Sequence, residues 1–178
     1  MDDASALMVG RRVRVLAVRP TAFGILRLAH EPSATTTAAI VAALGIAPPQ
    51  ASNQAVGAAL RILRTGPLEW TLIDAPPARI AALHDAIADA LAHYADLTDA
   101  RAGFHLAGEN AGRLIAAECP LDLDEAVFAP DCCAQSVFAG MPILVDRRRE
   151  ESGFRLYVDI SLAAHMASWL AATAEGLA

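Results

Sequence analysis

Chemistry in a chain of this size needs convergent side chains, so the five histidines and three cysteines are the first residues to consider. His84 and His93 stand on what the apolar spacing predicts as one helix, about two and a half turns apart, which points them to opposite sides and denies them a shared metal. His165 lies one turn before Trp169, a spacing that suits packing or an interface. His105 follows Phe104 in an extended run, and His30 opens a loop. Cys119, Cys132 and Cys133 form no CxxC or Cys/His pattern fit for tetrahedral zinc, and they read as reduced thiols. A Ser-His-Asp arrangement would want its nucleophile on a GxSxG elbow, but Ser161 in DISLA has no glycine on either side. Asp122, Asp124 and Glu125 in CPLDLDEAVF have the chemistry for general acid-base work, although carboxylates in a proline-bounded loop commonly cap turns. Gly103, Gly108 and Gly112 in GFHLAGENAG do not keep the GxGxxG spacing of a dinucleotide loop.

Composition narrows the field further. All 14 basic residues are arginine, which excludes a phosphate-loop lysine, a pyridoxal-phosphate aldimine and a Schiff-base aldolase. Against 20 acidic residues this leaves a net charge of -6, wrong for neutralising a nucleic-acid backbone. The arginine runs are Arg11, Arg12, Arg14 and Arg147 to Arg149; Glu150 and Glu151 follow the second at once, so it reads as a solvated hairpin tip. The apolar fraction is 55% and the mean hydropathy +0.38, yet roughly forty alanines account for the excess. The longest uncharged stretch, 32–60, is broken by threonines, prolines and amides, and its apolar centre, 38–47, is half of the about 20 residues a helix needs to cross a bilayer. The chain therefore reads as soluble, with no membrane partner, and its Met1-Asp2-Asp3 start, unlike a signal peptide, points to the cytoplasm.

The elements that would carry these residues alternate hairpins with single helices. Residues 12–18 and 23–29 pattern as a first hairpin, and Ser33 or Thr35 caps a helix over 38–44 that Gly45 and Pro48-Pro49 end. A second hairpin, 59–65 and 69–74, turns at Gly66-Pro67, and Pro77 opens a helix running to Tyr94 on Ile80, Leu83, Ile87 and Leu91. Residues 95–107 read as extended, 109–118 as a helix with Leu114 and Ile115 inward, and 120–130 as a loop. A long hairpin joins 135–147 to 153–160 across RRREES, and Ser161 caps a last helix whose inner face is Met166, Trp169 and Leu170. The class is α+β: hairpin-helix repeats forming mixed or antiparallel sheets with helices on one face. Residues 1–10 are expected as a flexible lead-in, 11–94 as an N-terminal half and 95–178 as a C-terminal half, the two making one compact body.

From about Leu60 to Leu170 the chain resembles the γ subunits of heterotetrameric sarcosine oxidase, which share the aminomethyltransferase folate-domain-like fold. The resemblance rests on GPLEWTLI at Gly66, Pro67, Glu69 and Trp70; on Asp96, Leu97, Thr98 and Arg101; on Gly108; and on the CPLDL loop with Leu121, Asp122 and Leu123. It continues through Phe128, Pro130 and Cys133, and through Ser161, Ala163, Trp169 and Leu170. The chain departs from the pattern at Asp159 and Ile160, where an arginine would precede Ser161, and at Ser136 and Leu68. The resemblance implies a non-catalytic subunit of a complex that oxidatively demethylates sarcosine to glycine and passes the one-carbon unit to tetrahydrofolate. It implies α, β and δ partner subunits carrying FAD, FMN, NAD and tetrahydrofolate, no cofactor or metal on this chain, and an interface role for the motif residues. The alternative is a free-standing tetrahydrofolate-binding, aminomethyltransferase-like protein of one-carbon metabolism. Nothing in the residues assigns Cys132 and Cys133 a role in assembly.

Overall fold

Ser33 starts the first helix by accepting a hydrogen bond from the Thr36 N–H at 3.1 Å, and α1 (Ala34–Leu44) then runs to a left-handed cap at Gly45. The second helix, α2 (Pro77–Ile87), opens on proline, whose missing N–H costs nothing in a first turn. Its Arg79 donates to the carbonyls of Ala42 and Ala43 at 3.4 and 3.1 Å, so one helix satisfies the open C-terminal end of its neighbour. The computed structural model describes residues 5–9 and 12–175. Within it the chain divides into an inserted unit, Thr21–Thr98, and a split unit made of Met1–Pro20 and Asp99–Ala178.

In the inserted unit, β3 (Phe23–Leu28), β4 (Ala55–Val56), β5 (Arg61–Gly66), β6 (Glu69–Ile73) and β7 (Ala92–Asp96) form a sheet in the order β4-β5-β6-β3-β7. One face of it buries Leu26, Ile62, Trp70 and Leu72 with Ile40, Leu44, Leu83 and Ile87 of the two helices. In the split unit, β1 (Ser5–Val9), β2 (Arg14–Val18), β8 (Arg101–Ala107), β9 (Cys133–Phe138), β10 (Met141–Asp146) and β11 (Phe154–Asp159) are ordered β1-β2-β8-β11-β10-β9. Here α3 (Ala111–Ala116) and α4 (Ala163–Glu175) supply Leu114, Ile115, Met166 and Leu170 to a core with Val15, Leu106, Val145 and Leu156. Every pairing is antiparallel.

The two units follow one plan. Each begins with a strand (β3 or β8), then a helix, a three-strand meander (β4-β5-β6 or β9-β10-β11) and a second helix (α2 or α4). In each sheet the meander lies beside the first strand, which pairs on its other side with a fifth strand. In the inserted unit that strand is β7, directly after α2; in the split unit it is β2, from the other end of the chain, and β1 is added outside it.

The differences from the sequence-based expectation have physical causes. Residues 12–18 and 23–29 are not a hairpin: β2 pairs with β1 and β8, and β3 with β6 and β7. Residues 11–20 consequently leave the N-terminal half for the C-terminal unit, and the division falls between Thr98 and Asp99 rather than at 94/95. Within the expected lead-in, Ser5–Val9 is strand β1, while residues 1–4 and 10 lie outside the described residues. The second helix stops at Ile87; Leu91 is exposed and Tyr94 enters β7, because alternation over Ala92–Asp96 lets the strand pair with β3. His93 therefore stands on a strand and not on the helix of His84. The expected strand 135–147 is two, β9 and β10, folded at Ala139-Gly140, whose φ values of 48° and 78° suit a tight hairpin. Trp169 is 36% exposed, and the buried stripe of α4 is Met166, Leu170 and Ala174.

The RRREES segment is also less solvated than its charges suggest. Asp146 is wholly buried and accepts from Arg148 Nε at 3.1 Å, while Arg148 Nη2 donates to the Tyr157 hydroxyl at 3.2 Å. Arg147 donates to the Phe128 carbonyl at 2.6 Å and lies over the Phe154 ring. Arg155 grips Glu151 with two hydrogen bonds of 2.8 and 2.6 Å, and His105 Nε2 lies 3.7 Å from the same carboxylate. Only Arg149 of the trio is exposed, paired with Asp131 at 2.8 Å. Burial pushes the Glu151 carboxyl up, but the hydrogen bonds and charge of Arg155 outweigh it and hold it below the usual carboxylate range.

Two predictions follow from these packings. The Tyr94 hydroxyl is buried without a hydrogen-bond partner among the described residues; a β carbon on Gly24 would sit 2.1 Å from it, and burial, then the Asp96 charge, pushes the phenol up to about 12. Tyr94→Phe is expected to leave stability unchanged or raise it by about 1 kcal/mol, because an unsatisfied hydroxyl is removed, whereas Gly24→Ala should cost about 1–3 kcal/mol by overpacking. Urea unfolding decides this, and a loss of more than about 1 kcal/mol in Tyr94→Phe would mean that the hydroxyl does have a partner. For Glu151, a folded value below the unfolded one means stability present above about pH 4.3 and lost as pH falls through the lower folded value. Glu151→Gln should therefore flatten the acid limb of the stability profile, and an unchanged limb would contradict the assignment.

Candidate subunit interface

Two strand ends carry the same device. At the end of β7, the Asp96 carboxylate accepts from the Thr98 N–H at 2.9 Å and the Thr98 hydroxyl at 2.6 Å, and Thr98 Oγ1 accepts the Phe23 N–H at 3.0 Å. At the end of β11, Asp159 accepts from the Ser161 N–H at 3.0 Å and the Ser161 hydroxyl at 2.7 Å. In both cases the hydroxyl bond, then the backbone bond, holds the carboxyl below its ordinary range. A short 3-10 turn follows each, Thr98–Ala100 and Ile160–Leu162. Asp159 also accepts from Arg101 Nη1 at 3.0 Å, so the acid standing where an arginine was expected joins Arg101 to Ser161.

The GPLEW residues form a second group. Gly66 and Pro67 turn β5 into β6, and Glu69 accepts from Thr65 Oγ1 at 3.0 Å and Arg27 Nε at 2.9 Å. Trp70 is 6% exposed, donates from Nε1 to the Pro49 carbonyl at 3.0 Å, and lies under the Arg64 guanidinium. Its role is to fix the 45–54 loop on the sheet. In the CPLDL loop, Leu121 and Leu123 pack partly buried against the split-unit core. Asp122 and Asp124 cap turns, accepting from the N–H groups of Asp124 and Ala126 at 3.0 and 2.9 Å. Cys119 lies 3.4 Å from Ser136 Oγ, and no two cysteines are joined by a disulfide. Among the described residues no three His, Cys, Asp or Glu side chains converge as a metal set, and no helix is long and apolar enough to cross a membrane.

The structure thus gathers Arg101, Asp159 and Ser161 in one unit and Gly66, Pro67, Glu69 and Trp70 in the other. Trp169 belongs to neither group. It stands on the outer face of α4 with Ala164, His165, Ser168 and Ala172, all exposed, and Ile160 just before the helix is 51% exposed. From Ile160 through Ala174 there is no Asp, Glu, Lys or Arg. Surface helices ordinarily dress their outer face with charge, and the centre of a protein interface is where charge is depleted and aromatics are enriched. The four-residue repeat Met166, Leu170, Ala174 was the sequence signal that turns Trp169 outward.

No protein-family model matches the chain. The sarcosine oxidase subunit gamma of Corynebacterium sp. (strain U-96) is 29% identical over 161 residues, covering 88% of this chain and 78% of that protein. The Arthrobacter sp. sarcosine oxidase subunit gamma is 28% identical over 171 residues, covering 94% and 84%. Among solved structures, a chain of the heterotetrameric sarcosine oxidase from Corynebacterium sp. U-96, in complex with pyrrole 2-carboxylate, superposes with a TM-score of 0.84 at 29% identity, covering 94% of this chain and 87% of that one. The glycine cleavage system aminomethyltransferase T from Bartonella henselae gives a TM-score of 0.60 at 17% identity, over 84% of this chain and 42% of that one, a likeness of fold alone. The fold is thus aminomethyltransferase-like, and across nearly all of its length the chain is similar in sequence to γ subunits of sarcosine oxidase and in structure to a chain of the heterotetrameric enzyme.

Proposed function

We propose that this chain is the γ-type subunit of a cytoplasmic heterotetrameric sarcosine oxidase. The complex demethylates sarcosine oxidatively to glycine and passes the one-carbon unit to tetrahydrofolate. The FAD, FMN, NAD and tetrahydrofolate sites belong to the partner subunits, and this chain, itself non-catalytic, acts by bracing them. The observation that carries the reading is that likeness to γ subunits runs through both units and spans most of the relatives' own length. A second feature agrees with it: the charge-free face of α4, where Trp169 offers a large rigid anchor and Ile160 an apolar neighbour.

The bracing role has a simple physical basis. A subunit that holds larger chains in register contributes to rate by fixing the distance between their sites, without touching a reacting atom. Packing α4 against a partner removes Trp169 and Ile160 from water and desolvates no carboxylate or guanidinium. Arg101, Asp159 and Ser161 set the direction in which α4 leaves β11, so they act on that face as positioning residues.

Coexpression with candidate α, β and δ chains tests the reading: a stable complex containing flavin is expected, and failure to copurify with any flavoprotein would sink it. Trp169→Ala combined with Ile160→Asp should leave the isolated chain folded and weaken its retention in the complex by about tenfold or more, as expected for a lost aromatic anchor. Unchanged retention would move the interface elsewhere. One-to-one binding of tetrahydrofolate to the isolated chain would instead favour a free-standing folate protein.

A further inference from the structure

The outer edge of β7 sets one sheet apart from the other. In the shared plan of the two units, β7 and β2 are equivalent: each is the fifth strand, paired antiparallel with the first. On β2, that edge is covered. Strand β1 pairs with it antiparallel, Ser5 opposite Ala17 and Val9 opposite Arg14. On β7, among the described residues, no further strand pairs with it, since β7 is the last strand of its sheet.

This edge is built to hydrogen-bond. Leu97 donates to the Phe23 carbonyl at 2.8 Å and Ala29 to the Leu91 carbonyl at 2.8 Å, which fixes the alternation along the β3-β7 ladder. Residues 91, 93, 95 and 97 therefore pair inward, and the N–H and C=O of Tyr94, with the N–H of Asp96, point outward. Natural edges are protected by charged side chains, proline, a bulge or shortness. Strand β7 has no proline, its one charged residue, Asp96, stands at its last position and is engaged by Thr98, and its register is unbroken over five pairs, Gly24–Asp96 to Leu28–Ala92. At the far edge of the same sheet, β4 is two residues long, so that side is protected by shortness.

Side-chain space lies beside this edge. A groove of about 610 Å³ runs along β3 and β7, its walls made by Ile25, Leu28, Ala90, Leu91, Ala92 and Ala95. Leu91 is 70% exposed at one end, the largest exposure of any large apolar residue described. Two polar side chains join this lining, Arg27, which is engaged by Glu69, and His93; the rest is apolar, so what enters needs chiefly apolar side chains. Main-chain bonds at an open edge together with a pocket for alternate side chains is the geometry of strand addition.

We infer that β7 is a receptor edge on which a partner protein chain lays an extended antiparallel strand, its apolar side chains two residues apart in the groove of Ile25, Leu91 and Ala95. The strand fills for the inserted unit the place that β1 fills for the split unit. This rests on the subunit reading above, since it needs a partner chain, but it concerns a different surface from α4.

Hydrogen exchange on the coexpressed complex, against the isolated chain, tests it. The Tyr94 and Asp96 amides should exchange freely in the isolated chain and become at least tenfold slower in the complex. The double variant Leu91→Lys, Ala95→Lys places two charges along the groove; it should keep the thermal midpoint of the isolated chain within a few degrees and lose at least tenfold in retention. A complex that forms while those two amides stay unprotected overturns the receptor edge and leaves the subunit reading standing. Absence of any complex removes both. A homodimer of the isolated chain that the double variant disperses also overturns it, by assigning the edge to a second copy.

Discussion

Strand β8 must be hydrogen-bonded on both sides, and most of the architecture follows from how that is met. Its neighbours in the chain, β7 and β9, do not pair with it; β11 takes one side and β2 the other, with Arg14 opposite Ala107 and Val18 opposite Gly103. A central strand with one side unpaired would leave a row of buried amides and carbonyls without partners, each costing about 1–3 kcal/mol. The N-terminal segment has to cross to the C-terminal half to prevent this. It also carries Val13 and Val15, both almost fully buried, into that core, worth about 2 kcal/mol each in apolar burial. The inserted unit is consequently a loop of the split one: the chain leaves at Pro20, folds Thr21–Thr98 and returns at Asp99.

That single crossing explains why some features were legible in the sequence and others were not. Caps and turns declared themselves, because Ser33, Gly45, Pro77 and Gly66-Pro67 act within a few residues of where they stand. The alternation of hairpins with helices, and with it the α+β class, was readable for the same reason. Pairing was not. Residues 12–18 have the pattern of a strand, but nothing local says that its partner lies ninety or so residues away rather than across Pro20. The 91–94 segment shows the same limit: Leu91 and Tyr94 satisfy a helical repeat with Leu83 and Ile87, and only the available side of β3 makes them strand.

The candidate interface was legible in part. Trp70 and Glu69 stand out in the sequence, and the structure gives them an internal task, holding the Pro49 loop and Arg27. Asp96 and Asp159 prove to be local anchors at strand ends, and the arginine run at 147–149 is largely a buried clamp rather than a solvated tip, since Arg148 is spent on Asp146 and Tyr157. Such a use of charge cannot be seen from a run of like residues; it depends on β10 and β11 bringing Leu144 opposite Tyr157 and Asp146 opposite Arg155. Trp169, expected on the inner face of the last helix, faces out instead, because a helix rich in alanine offers a weak contrast between its faces.

That weak contrast is itself informative about what the molecule's surface can do. The chain places its charged residues unevenly: 32–60 and 160–174 carry no Asp, Glu, Lys or Arg, and these segments hold all of α1 and nearly all of α4. On α1 the exposed positions Ala34, Thr35, Ala38 and Ala42 are small and neutral. Covering a charged side chain costs desolvation, and covering a long one costs rotamer freedom as well; alanine costs almost neither. The outer face of α4, alanines with His165, Ser168 and Trp169, therefore loses little when it is covered, and the tryptophan ring is its largest apolar surface. The alanine-rich, lysine-free composition, which suggests a membrane span when read as bulk hydropathy, thus becomes in three dimensions a set of helix faces that a partner can cover at low cost.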